Sequence, residues 1–146
     1  MATAAQTIHV PTSFALSEHR NLRFATLFLL YFAQGLPFGL IDFALPAWLA
    51  QNGASAAEIG SVLAMVILPW TFKLAYGLLM DRYAFLAMGR RRPWIIIGQL
   101  GLGLGFVAMA FADPGAHQIS VIAMFAFALG LSSAVQDVAV DGLAVD

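Results

Sequence analysis

Gly77-Leu-Leu-Met-Asp81-Arg82-Tyr-Ala-Phe-Leu-Ala-Met-Gly89-Arg90-Arg91-Arg92-Pro93 lies between two long apolar stretches. With Lys73 just upstream, it holds five of the chain's seven Lys and Arg residues. A basic loop between hydrophobic spans fixes the direction in which they cross a bilayer. Arg20 and Arg23 precede the first apolar stretch, while the other two connections, 50–56 and 113–118, carry no Lys or Arg. The N-terminus and the loop with Asp81-Arg82 and Arg90-Arg91-Arg92 are therefore expected on the cytoplasmic side.

The composition agrees with a membrane setting. Hydrophobic residues make up 61% and charged residues 10% of the 146, against roughly half and roughly a quarter in soluble domains. Apolar runs over 24–49, 57–80, 93–112 and 119–141 each approach the ~20 residues that cross a hydrocarbon core as a helix. The expectation is an all-α membrane protein of four transmembrane helices, with residues 1–23 as a cytosolic tail and 24–146 as a partial transmembrane bundle. A soluble four-helix core would leave almost no polar face for water. The run from Phe24 to Leu49 is longer than the apolar core of a secretory signal. A net charge of −1 gives no basic surface for nucleic acid, and the absence of cysteine removes disulfides and thiolate sites.

Local signals place the helix ends. Ser55-Ala-Ala-Glu58 has the spacing of a capping box, so the second helix should start near Ala56. Pro93 suits the first turn of the third helix, and Asp113-Pro114-Gly115 turns the chain into the fourth. Gly35, Pro37, Gly39 and Pro46 interrupt the first span, and Pro69 the second. Each proline removes a backbone donor and disturbs the preceding turn. Gly98, Gly101, Gly103 and Gly105 crowd the third helix, where Gly101-x-x-x-Gly105 permits close helix approach. A dinucleotide reading of these glycines fails because no strand precedes them.

Ionisable groups inside a bilayer are expensive and face a bundle interior or a water-filled cavity. Here they are Asp42 in the first span, Lys73 in the second, and Asp137 and Asp141 in the fourth, accompanied by Gln34 and Gln136. At ~1.5 Å per residue, Lys73 and Asp137 come to similar depths near the cytoplasmic side, while Asp42 lies in the outer third. Lys73 and Asp137 are the expected ion pair, and Asp42 is expected to line a cavity. Asp137 and Asp141 share a helix face and repel unless one is protonated or neutralised. Asp81, at a helix C-terminus, opposes the macrodipole and needs a partner such as Arg82 or a loop arginine.

The stretch Gly77 to Arg92 resembles the cytoplasmic loop signature of the major facilitator superfamily: Gly, a short spacer, Asp-Arg, then Gly-Arg-Arg. The spacer before Gly89 is longer than in the commonest form. Thr71-Phe72-Lys73, Arg90-Arg91-Arg92-Pro93-Trp94 and Gln136-Asp137-Val-Ala-Val-Asp141-Gly142 make it similar to the branch of AmpG-type muropeptide permeases and acetyl-coenzyme A transporters. The resemblance implies a twelve-helix secondary transporter working by alternating access, of which these four helices are the first four. It implies a large polar, anionic or glycopeptide cargo and proton coupling. It assigns Gly77, Asp81, Arg82, Gly89, Arg90, Arg91 and Arg92 to a cytoplasmic gate. Gln34, Asp42, Lys73, Gln136, Asp137 and Asp141 fall to the substrate or proton pathway.

On this reading the chain is an N-terminal fragment of a permease in the lipid bilayer, expected in the bacterial inner membrane. It needs the remaining transporter helices for function. Folate or pterin transport is a rival for the cargo, and a non-transporting accessory subunit is a rival of another class. No nucleophile with its base, metal constellation or phosphate loop is legible, so neither enzyme activity nor a cofactor or metal is expected.

Overall fold

A computed structural model describes residues 19–83 and 89–145. The expected tail over residues 1–18 and the loop centre at 84–88 lie outside the described residues. Four helices are long and apolar enough to cross a membrane: α1, Arg20–Gln51; α2, Ala56–Arg82; α3, Arg92–Ala112; and α4, Ile119–Val145.

The first helix starts at Arg20, not at Phe24, because the Arg23 amide closes a first turn on the His19 carbonyl at 2.9 Å. The Arg23 guanidinium then reaches the Ala144 carbonyl of α4 at 3.3 Å, which docks this turn on the bundle. Pro37 sits inside α1 without ending it. Further along, Leu40–Ala44 form a π turn in which the Leu45 amide bonds to Leu40, five residues back. Pro46 explains it: its ring nitrogen has no proton for the Asp42 carbonyl, so the helix widens just before it. Pro69 acts similarly in α2, where Leu68–Phe72 tighten into a 3₁₀ turn.

The capping box forms as the sequence leads one to expect. The Ser55 amide donates to Glu58 Oε2 at 2.7 Å, and the Glu58 amide donates to Ser55 Oγ at 3.3 Å. α3 carries Pro93 in its first turn and ends at Asp113, whose φ of 39° reverses the chain. α4 continues past the expected end at Asp141 to Val145. Contacts from α1 and the Arg-rich loop hold this last turn, as the site geometry below shows.

The hub of the bundle is α4. Of its most apolar window 39% is buried, against 17% for each of the other three helices. It touches all of them, α2 and α3 far more extensively than α1. The α3 contact depends on glycine. Gly98 lies opposite Gln136, Gly101 opposite Ser132 and Gly105 opposite Leu129, the register of antiparallel helices in close approach. A Cβ at Gly98 would sit 2.7 Å from Gln136 Cβ and one at Gly105 2.7 Å from Leu129 Cδ2. Gly103 faces away and meets nothing. On the other side of α4, Gly130 lies directly against the Val66 backbone of α2.

Two apolar clusters result. The larger joins Ile41 and Leu49 of α1, Val62 and Val66 of α2, Leu102 of α3, and Ile122, Ala126 and Leu129 of α4. The smaller, towards the Arg-rich end, holds Met80, Ile95, Ala139 and Val140. Phe28, Phe43, Leu74, Leu104 and Phe111 point outwards and stay exposed. Water would penalise that surface, and hydrocarbon does not.

Candidate functional site

The polar residues of the spans gather on one face of α4, in its half nearest the Arg-rich end. Asp137 is their centre. Lys73 of α2 forms an ion pair with Asp137 Oδ2, and Gln34 of α1 donates through Nε2 to Asp137 Oδ1. Three helices therefore meet on one carboxylate. Asp137 is buried, and the Lys73 ammonium also lies 4.6 Å from the centre of the Trp70 ring, a second attraction for the cation. The 3₁₀ turn over Leu68–Phe72 ends just before Lys73 and sets where that side chain leaves α2.

One turn further along α4, Asp141 accepts a hydrogen bond from the Tyr31 hydroxyl at 2.7 Å. Tyr31 and Gln34 are three residues apart on α1, and Asp137 and Asp141 four apart on α4, so antiparallel faces mesh. The repulsion expected between the two aspartates is relieved by separate donors: Lys73 and Gln34 for the first, Tyr31 for the second. Arg23 on the Ala144 carbonyl extends the same seam to the helix end.

A second ionic contact closes that end. Arg91 Nη2 pairs with Asp81 Oδ1 at 2.7 Å, so the loop arginine that answers the C-terminal carboxylate of α2 is Arg91. The Arg91 side chain lies over Gly142 of α4, where an added Cβ would come within 2.5 Å of its Nε. α2, the start of α3 and the last turn of α4 are thus clamped together. Gly89 supports the loop with a φ of 92°, a conformation glycine adopts without strain. Arg82, Arg90 and Arg92 are exposed. Gly77 packs in ordinary contact with Val138 of α4.

Two expected pathway residues stand apart from the junction. Gln136 is buried and turned to Gly98 of α3, not to Asp137. With Pro37, Gln99 and Leu102 it lines a cavity of about 290 Å³ between α1 and α3. Asp42 lies in the π turn, half-buried, eight residues beyond Gln34. A larger apolar cavity of about 390 Å³ opens beside it, lined by Ile41, Leu45, Trp48, Phe106 and Met109, but Asp42 is not in its wall. Tyr31 escaped the sequence reading, which took Arg23 only as a topology charge and Gly142 only as part of a motif. The signal for Tyr31 was its place on the Gln34 face, opposite an i, i+4 pair of aspartates.

The profile of the BT1 family matches residues 34–146. The chain belongs to the BT1 family. Among curated relatives, the anhydromuropeptide permease of Escherichia coli K12 is 36% identical over 85% of this chain and 25% of its own length. An uncharacterized protein of Haemophilus influenzae is 34% identical over 75% of the chain and 25% of its own length. A Rickettsia felis protein bearing an AmpG transporter name is 29% identical over 87% of the chain and 31% of its own length. The chain spans about a quarter of the length of the first of these relatives. No solved structure matches it. The BT1 assignment and the four spans make it an integral membrane protein, and its relatives carry permease and transporter names.

Proposed function

We propose that these residues form the first four membrane helices of a proton-coupled permease for a large polar solute of the anhydromuropeptide class. The reading places it in the bacterial inner membrane with the N-terminus in the cytoplasm. The observation that carries it is the junction on Asp137, where α1, α2 and α4 spend a buried acid, a lysine and an amide on one another. A scaffold would be cheaper with apolar residues there, since a desolvated ion pair is weak as a source of stability. The likeness to the E. coli permease supports the cargo class. The excess of arginine at one end supports the orientation.

In this reading Gln34, Asp42, Lys73, Gln136, Asp137 and Asp141 belong to the solute or proton pathway. Gly77, Asp81, Arg82, Gly89, Arg90, Arg91 and Arg92 form the cytoplasmic gate. The Asp81–Arg91 pair seated on Gly142 is its latch: it locks the helix ends while it holds, and its release lets α2 and α3 part from α4. Alternating access also requires a second bundle facing this one. Uptake of labelled anhydromuropeptide by the full-length protein in vesicles with an imposed pH gradient tests the proposal. Accumulation that follows the gradient is expected. Binding without accumulation would overturn proton coupling, and neither binding nor uptake would overturn the cargo.

A further inference from the structure

Three carboxyl groups lie within the helices where a proton could be carried, and their surroundings differ. Asp137 faces a lysine and an amide donor, so adding a proton there would orphan the Lys73 charge. Asp141 accepts from Tyr31 near the helix end. Asp42 makes no hydrogen bond or ion pair among the described residues, although it is half-buried in the outer third of its span. Of the charged groups on the neighbouring helices, Lys73 and Asp137 engage each other, and Glu58 engages its own cap at Ser55. Asp113 lines the cavity next to the π turn without reaching Asp42.

Two further observations concern access. The π turn is a local departure from α geometry of the kind found at working sites in helices, and it carries Asp42. The strip of α1 leading to it is uncovered: a Cβ at Gly35 or Gly39 would meet no atom within 4 Å. Tyr31, Gly35, Phe38 and Asp42 follow the i, i+4, i+7, i+11 spacing of a single helix face, which runs from the Asp141 contact up to the π turn.

We infer that Asp42 is the carboxyl that takes up and releases the coupled proton, while Asp137 keeps Lys73 and Gln34 as its partners at the junction and does not carry that proton. This rests on the proton-coupled reading above. The Asp42 carboxylate accepts a proton from water on the outer side and returns it to water on the cytoplasmic side. Protonation removes a charge that no described residue compensates, and deprotonation restores it.

The test uses the full-length protein in vesicles, with the membrane potential held at zero by potassium and an ionophore, and labelled anhydromuropeptide as probe. With one proton per solute, a pH difference of one unit drives roughly tenfold accumulation. Asp42→Asn is expected to lose that tenfold accumulation yet keep solute exchange at equal pH, and Asp42→Glu to restore accumulation. Full accumulation in Asp42→Asn would overturn the inference. So would loss of exchange along with accumulation in a folded Asp42→Asn, since that outcome assigns Asp42 to cargo or structure. Infrared spectra during pH titration supply a readout independent of transport. The protonated-carboxyl band should vanish in Asp42→Asn and persist in the paired variant Lys73→Met with Asp137→Asn. The opposite pattern overturns the inference even if the wild type shows no uptake, a result that by itself rejects only the permease reading.

Discussion

The two halves of α4 are held by different chemistry. From Ile122 to Ser133 it is seated by shape, with Gly130 against the α2 backbone and Ser132 and Leu129 over the glycines of α3. From Gln136 to Ala144 the packing on Gly98, Met80 and Ile95 is joined by charge and hydrogen bonds: Lys73 and Gln34 on Asp137, Tyr31 on Asp141, Arg91 over Gly142 and Arg23 on Ala144. Close packing resists gradual deformation, because an interdigitated interior has few voids and transmits strain. Polar partners can be exchanged for water or for one another. On the proposed gate reading the difference says where motion belongs: the glycine half is the axis, and the charged half is the part that opens.

The largest effect should come from attacking the axis. Gly130→Val puts two methyl groups and a Cβ where the Val66 carbonyl stands, and backbone cannot step aside as a side chain can. A loss of about 3 kcal/mol or more is expected, measured by denaturation in detergent micelles. Gly103→Ala is the control on the open face of α3, where no neighbour lies within 4 Å. It should be neutral or stabilise by about 0.5 kcal/mol through helix propensity. Equal losses in the two variants would erase the rigid axis.

Next in size is the charged half. Lys73→Ala leaves a buried carboxylate with Gln34 alone, and about 2 kcal/mol should be lost. This is below the usual cost of breaking a buried pair because the lysine side chain is 39% exposed and water screens it. Adding Asp137→Ala should recover part of the loss by removing the orphaned charge. Strictly additive losses in that double-mutant cycle would show that the two do not act as a pair.

How much of this could be read in the sequence follows from the same division. The spans were legible because hydrocarbon demands ~20 apolar residues wherever a helix crosses it. The Lys73–Asp137 pair was legible because two charges at similar depth in oil have few alternatives. The capping box at Ser55 and Glu58 was legible because it is local. What escaped was set by rotation about helix axes. Gln136 and Asp137 are adjacent and therefore about 100° apart, so one faces Gly98 and the other Lys73. Nothing in the spacing of either residue says which. The π turn, which holds Asp42, shifts every α1 residue beyond it by part of a turn, and no residue spacing announces it. The helix ends at Arg20 and Val145 are joined by a contact, Arg23 on Ala144, between residues 121 apart in sequence.

A smaller loss is expected at the latch. The Asp81 side chain is 52% exposed, so the pair with Arg91 contributes modestly in water. Arg91→Ala should cost no more than about 1 kcal/mol. Its signature should instead be local: faster hydrogen exchange in the last turn of α4 around Gly142, with the Gly130 region unchanged. Neutral replacement of Arg90, Arg91 and Arg92 together should also weaken the orientation bias, read as accessibility of a cysteine placed at Ala54 from both sides of the membrane. Unchanged accessibility would leave Arg20 and Arg23 as sufficient determinants.

The smallest change sharpens the comparison most. Tyr31→Phe removes one hydroxyl at an exposed position, keeps the ring, and should cost only about 0.5 kcal/mol of stability. If the charged half of α4 were merely another way of gluing helices, nothing else should follow. If it is the part that opens, Asp141 loses its protein donor and must turn to water, and the seam between α1 and α4 loosens at the step between Asp137 and Ala144. Hydrogen exchange should then rise along residues 138–145 and stay at the wild-type level along 122–133. A uniform rise over the whole helix would mean that its two halves move as one body, and that glycine packing and charge hold a single rigid element.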